Sequence, residues 1–174
     1  LNIIKMKKLL LLCIAVSAMS CQNNYDLSLY EANQKIAKEF ISTYESPVNY
    51  ELFESLVHED IEHQSPMYGV GKVGYTEVLA QADFYMNGFE NVTFTEATWL
   101  PGVDETTLSP DGSVRVYGIW SGNNSATGKP FSLDAYHYFN VKEGKIIASG
   151  DYFDATGMVM AIQPDPVVED VSNE

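Results

Sequence analysis

The sequence predicts one α+β domain, with helices packed over one face of a curved antiparallel sheet. Three observations lead there. Apolar residues recur at helical spacing through the first half, as in Ala32, Ile36, Phe40 and Tyr44. After Gly88 the period changes from helix-like to strand-like, as in Val92 and Phe94. The last stretch, Phe131 to Phe153, reads as a hairpin: two runs rich in β-branched and aromatic residues meet at Glu143-Gly144.

Each element follows from local chemistry. Gln22 to Leu27 is a polar tether, and Ser28-x-x-Glu31 reads as a capping box opening the first helix. Ala37 and Ile41 widen the apolar stripe of that helix, and Pro47 stops it. Asn49 is placed to cap a second, short helix whose apolar face is Leu52, Phe53 and Leu56. Gly69 to Gly74 forms a loop, and a third helix carries Val78, Leu79, Ala82 and Tyr85 up to Gly88. The first long strand alternates through Val92, Phe94, Thr98 and Leu100, and Pro101 to Gly112 is a turn-rich connection. Ser113 to Ser121 is the next strand, and Gly122 to Pro130 leads as a polar loop into the hairpin. From Pro164 the acidic, proline-bearing tail reads as disordered. VRVYGIW and DAYHYFNV are apolar or aromatic on both alternating faces, which points to a homodimer through the outer sheet face.

The front of the chain reads as a secretory signal. Met6 is the natural start, Lys7-Lys8 the basic region and Leu9 to Val16 the apolar run, too short to span a bilayer. Ser17 to Ser20 approach Cys21 as small residues, resembling a bacterial lipobox with Cys21 as the lipidated residue. The expected division is therefore a signal over 1–20, a tether over 21–27, the domain over 28–162 and an acidic tail over 163–174. Such a protein is held at the cell envelope by its lipid, on a membrane side the sequence does not specify. Only Cys13 and Cys21 occur, so the mature domain has no disulfide and no thiolate nucleophile. The formal charge is −14, and loss of Lys5, Lys7 and Lys8 with the signal makes it −17. A surface of that sign repels phosphate backbones and excludes nucleic acid as a partner.

Three helices, a strand with Trp120-Ser-Gly122, a Gly128-Lys129-Pro130 loop, and YHYFNVKEGKI followed by Asp151-Tyr152-Phe153-Asp154 resemble the nuclear transport factor 2-like superfamily, in its SnoaL-like branch. The resemblance covers roughly residues 28 to 160. It implies a cone-shaped curved sheet closed by the helices around an apolar cavity, often dimeric through the sheet. The superfamily includes polyketide cyclases, ketosteroid isomerases, epoxide hydrolases and dehydratases, as well as members that only bind ligands. Asp151 matches the first Asp of the epoxide hydrolase ending, with Gly150 in place of its Arg. Arg115-x-Tyr117 stands where that branch has Arg-x-Asp, and Ser65-Pro66 stands where the isomerases have their base Asp before Pro.

Strand parity selects the candidate residues. Asp151 shares a face with Ile147, Ser149 and Phe153, so it is expected in an apolar cavity with its pKa raised, as suits a general acid or base. His137 alternates with Ala135, Phe139 and Val141 and is expected on the same interior, able to pass a proton. Arg115, one of seven basic side chains in the mature chain, either pairs inside the cone with Asp151 or another carboxylate, or pairs on the surface. These three form the candidate catalytic set; Tyr44, His63, Tyr117, Trp120, Phe139 and Phe153 are the candidate lining. His58-Glu59-Asp60-Ile61-Glu62-His63 is not a HExxH zinc motif, because residues five apart lie roughly 140° round a helix. It reads as a solvated helix end with His63 at the pocket mouth, and neither a metal nor a cofactor is expected. The leading functional reading is a cavity that binds a small apolar or amphipathic molecule. The alternatives are a cofactor-free acid/base enzyme using Asp151, and a purely structural dimerisation domain whose cavity its own side chains would fill.

Overall fold

Residues 25–166 are described by a computed structural model. The signal, Cys21 and the end of the acidic tail fall outside the described residues. Helix α1 (Ser28–Ser42) precedes α2 (Tyr50–Leu56), β1 (Val57–Gln64), β2 (Lys72–Val73) and α3 (Tyr75–Gly88). Then follow β3 (Phe89–Val103), β4 (Pro110–Asn124), β5 (Pro130–Lys142), β6 (Lys145–Tyr152) and α4 (Ala155–Ala161). The strands form one curved, unclosed sheet in the order β2-β1-β6-β5-β4-β3. The α+β architecture expected from the sequence is present.

Local chemistry accounts for the helices, with two departures. Asn49 caps α2 as expected, its side chain accepting from the Leu52 amide at 3.0 Å. Ser28, by contrast, is the first residue of α1 and makes no side-chain cap; the Asp26 carboxylate accepts its backbone N–H at 2.9 Å. The buried stripe of α1 is Tyr30, Asn33, Ala37, Phe40 and Ile41, rotated from the expected one, and Ala32 is exposed. Asn33 explains the rotation: its Nδ2 donates to the Gly112 carbonyl at 2.8 Å, so a polar residue is held on the packed side. The second departure is α4, a helix between the hairpin and the tail for which no element is expected. Asp154 caps it, accepting from the Gly157 amide at 2.8 Å, and Met158 and Ile162 pack with Phe89 and Val92.

The largest correction is the stretch His58 to His63. It is strand β1, not a helix end, antiparallel to β2 and parallel to β6. His58, Ile61 and His63 are buried, while Glu59, Asp60 and Glu62 are exposed, alternating from Asp60 onward. The sheet therefore contains one parallel pair among its antiparallel strands.

Curvature has a local cause. The β3–β4 register shifts three times, and Asn91 and Glu96 take φ of 54° and 53° near two of the shifts. Such bulges bend a strand and increase its twist. The long bent pair turns its concave side toward the helices, and α1 packs chiefly on β4. The Glu143-Gly144 turn has φ of 53° and 78°, the double-positive geometry of a tight hairpin. A further shift after Asn140 puts Ile146 rather than Ile147 in the core. Phe40, Phe53, Val57, Ile61, Val114, Val116, Phe139 and Ile146 are the centre of that core.

Candidate functional site

Between the concave face and the helices lies a cavity of about 80 Å³. Allowing roughly 10–15 Å³ for each water-sized group, it takes on the order of six non-hydrogen atoms. Its walls are mainly aromatic and aliphatic, including Phe40, Tyr44, Tyr85, Trp120, Phe139 and Phe153. Its polar groups, Asp151, His137, His63, Gln81 and Ser149, meet in one network.

Three strands and one helix deliver that network. Asp151 and His137 are direct partners in the β5–β6 register, and Oδ1 of Asp151 lies 2.7 Å from Nδ1 of His137. His63 of β1 faces Ser149 of β6 in the parallel pair, with Nδ1 2.9 Å from the serine Oγ. Helix α3 lowers Gln81 onto both: its Nε2 is 3.2 Å from Asp151 Oδ2 and 3.1 Å from His63 Nε2. On the other side, the Trp120 indole N–H donates to Nε2 of His137 at 2.9 Å.

The hydrogen bonds assign the protons. An indole N–H can only donate, so Nε2 of His137 accepts and the ring proton sits on Nδ1, donating to Asp151. Gln81 must turn its NH₂ toward the carboxylate, since the reversed amide would set two acceptors against each other. Its second proton then serves Nε2 of His63, whose Nδ1–H donates to Ser149. Burial is the main reason the His63 pKa lies below its ordinary value, outweighing the attraction of Asp151.

Asp151 departs from the expectation of a raised pKa. Burial does push it upward, but His137, His63 and Gln81 together outweigh burial and hold it below the ordinary carboxylate value. The side chain is 18 % exposed, against 5 % for His137 and 6 % for His63. Tyr44 and Tyr85 are pushed upward, first by burial and then by the Asp151 charge. Among the described residues neither hydroxyl has a hydrogen-bond partner.

The other sequence candidates divide by strand face. Tyr44, His63, Trp120, Phe139 and Phe153 line the cavity with Asp151 and His137. Arg115 and Tyr117 do not. Their neighbours Val114 and Val116 point into the core, which turns both to the outer face. There Arg115 lies over the Tyr138 ring at 5.5 Å, and Tyr117 stacks on Tyr136 with centroids 4.9 Å apart. An Arg115–Asp151 pair inside the cone is thereby ruled out. Gln81 was missed; its signal is a polar residue interrupting the Val78–Ala82–Tyr85 face. Gly118 leaves room on the inner face for Phe94, since a methyl there would run into the Phe94 ring, which meets His137 edge to face. No group of three or more His, Cys, Asp or Glu among the described residues is arranged to hold a metal ion.

Comparison with solved structures gives the same architecture. An NTF2-like protein from Anabaena variabilis matches with a TM-score of 0.60 and 16 % identity, over 78 % of this chain and 96 % of that one. A Xanthomonas campestris protein provisionally assigned as a polyketide cyclase matches at 0.61 and 12 %, over 78 % and 99 %. A Catenulispora acidiphila protein with a ketosteroid isomerase-like fold, in complex with trimethylamine, matches at 0.54 and 14 %, over 73 % and 91 %. The chain thus has the nuclear transport factor 2-like cone fold. No family model matches the sequence. No curated protein matches it either.

Proposed function

We propose that this chain is a SnoaL-like envelope lipoprotein whose cone cavity holds a small apolar or amphipathic molecule, with the polar end of that molecule at Asp151. One observation carries the reading: an aromatic cavity converges on a single hydrogen-bonded carboxylate. The protonation pattern favours holding a ligand over abstracting a proton. Asp151 is a weakened base, and Nε2 of His137 is occupied by Trp120 and is not free to act on a substrate. The fold neighbour that holds trimethylamine supports a ligand of small size. The purely structural alternative needed a filled interior, whereas about 80 Å³ stays open.

Trp120 lines the cavity and reports on it. A panel of small apolar and amphipathic molecules should include some that change tryptophan fluorescence saturably and raise the melting temperature, as any ligand of the native state must. A Ser149→Phe variant, which fills the cavity, should lose both responses. A panel without a saturable response, or responses unchanged in Ser149→Phe, would sink the proposal. The enzyme alternative rests on the Asp151–His137 pair at 2.7 Å. It is favoured only if a bound compound is converted and Asp151→Asn stops conversion while binding persists.

The anchor and the dimer are part of the same proposal. Cys21→Ser should release an unacylated protein from the membrane fraction; a variant that still sediments with membranes would refute lipidation. The outer face supports the dimer with a ladder of Tyr117, Tyr136, Tyr152 and Tyr138, in which Tyr117 and Tyr152 are each 51 % exposed. Tyr117→Glu should shift the sedimenting species from dimer to monomer, and a wild-type chain that sediments as a monomer would end this part of the reading.

A further inference from the structure

We propose that the cavity selects a positively charged ligand, an ammonium or methylated-ammonium head group, seated against Asp151 among the rings of Tyr44, Tyr85, Trp120 and Phe153. The inference rests on the cavity being a ligand site and specifies what kind of ligand it takes.

The missing counter-charge is the first reason. Asp151 is mostly buried, and neither Lys nor Arg is among the described cavity walls. Arg115, which could have supplied a cation, lies on the opposite face of the sheet over Tyr138. The two histidines beside the carboxylate are also engaged by Trp120, Ser149 and Gln81. A mostly buried carboxylate with no Lys or Arg beside it among the described cavity walls gains from a cation brought to it.

Unused capacity is the second. An ionised carboxylate offers about four acceptor positions. His137 and Gln81 donate to it, while His63 stands further off at 3.5 Å. Room to accept from, or lie against, an ammonium group remains on the cavity side.

The walls supply the third. Aromatic rings present a negative π face that attracts cations, more strongly when water is excluded. Among the described residues the Tyr44 and Tyr85 hydroxyls have no hydrogen-bond partner, and with their pKa values pushed upward both rings line the cavity as dipoles rather than as charges. The volume admits on the order of six non-hydrogen atoms, the size of a methylated-ammonium head with a short stem. A formal charge of −14 on the chain draws cations and repels anionic ligands.

A pair of isosteres separates charge from shape. Choline and 3,3-dimethylbutan-1-ol have the same outline and differ in a quaternary nitrogen replacing a quaternary carbon. Titrated into the full chain with tryptophan fluorescence and calorimetry as readouts, choline should bind at least about tenfold more tightly than the alcohol. Asp151→Asn should weaken choline by about tenfold and shift the alcohol by less than about twofold. Equal binding of the two, or tighter binding of the alcohol, overturns the charge selection and leaves the cavity as a neutral ligand site. Binding of neither, while other members of the apolar panel bind, overturns it too and again leaves the ligand-site reading standing. Failure of both compounds and of the whole panel removes both readings. The wild-type comparison needs no substitution, so an Asp151→Asn chain that does not fold leaves the test intact.

Discussion

At His137 the two ring nitrogens have opposite duties, and Trp120 sets which is which. Its indole donates to Nε2 at 2.9 Å and thereby aims Nδ1–H at Asp151. Trp120→Phe keeps the aromatic body but leaves a buried acceptor without a donor, so it should cost about 1–3 kcal/mol in urea unfolding. A cost indistinguishable from zero would mean that the indole bond does not hold the tautomer. The same network makes stability fall with acid in two stages. His63 has a folded pKa below its ordinary 6.5, so the unfolded chain binds more protons as the pH drops through that value, and stability is lost there. Asp151 is held below its ordinary 3.8, so its contribution is present above that pH and disappears as the pH falls through the folded value. Melting temperatures measured from pH 7 to pH 5 should decline, and His63→Gln should flatten that first stage. An unchanged slope in the variant would assign the loss to other groups. The inward placement of Asp151 and His137 was readable from parity, because Phe153 and Phe139 share their faces as bulky apolar neighbours. Arg115 was not, because β4 is apolar or aromatic on both sides and parity alone does not say which is the interior. Nor was the direction of the Asp151 shift, which is set first by the close His137 contact across the hairpin and then by His63 and Gln81 arriving from elements far away in the chain.

Elements were legible where a turn or cap residue reinforced periodicity. Asn49 and the Glu143-Gly144 turn are such cases, and both are where the sequence places them. Asn49→Ala should cost about 1 kcal/mol through the loss of the α2 cap; a chemical-denaturation midpoint that does not move would contradict it. β1 was hidden because its solvent side is a run of acids, whose charge imitates an exposed helix end, while its buried residues Val57, His58, Ile61 and His63 do not alternate regularly. Helix α4 was hidden by its length, a seven-residue element following a strand without a break in hydrophobicity. Gly118 expresses a constraint on β4 that composition does not reveal. A side chain there would displace Phe94, and with it the ring contacts to Trp120 and His137. Gly118→Val should therefore destabilise the protein by about 1–3 kcal/mol and weaken any cavity ligand. A variant as stable as the parent would show that β3 yields freely.

For the whole molecule, the change from helical to alternating periodicity at Gly88 was enough to predict helices on one side of a sheet. It was not enough to predict that the first strand would lie parallel to the last. That pairing joins His63 to Ser149 across 86 residues of chain, and Gln81 to Asp151 across 70. Contacts so distant along the chain require closure of long loops, which costs entropy and comes late in folding. The site consequently has no local precursor: while β6 is missing, the helices and first strands hold a histidine and a glutamine but no carboxylate for them to meet. Under the proposed export and ligand binding, a chain crossing amino end first would hold no ligand until nearly all of it had crossed, and loading would fall to the compartment where the finished domain resides.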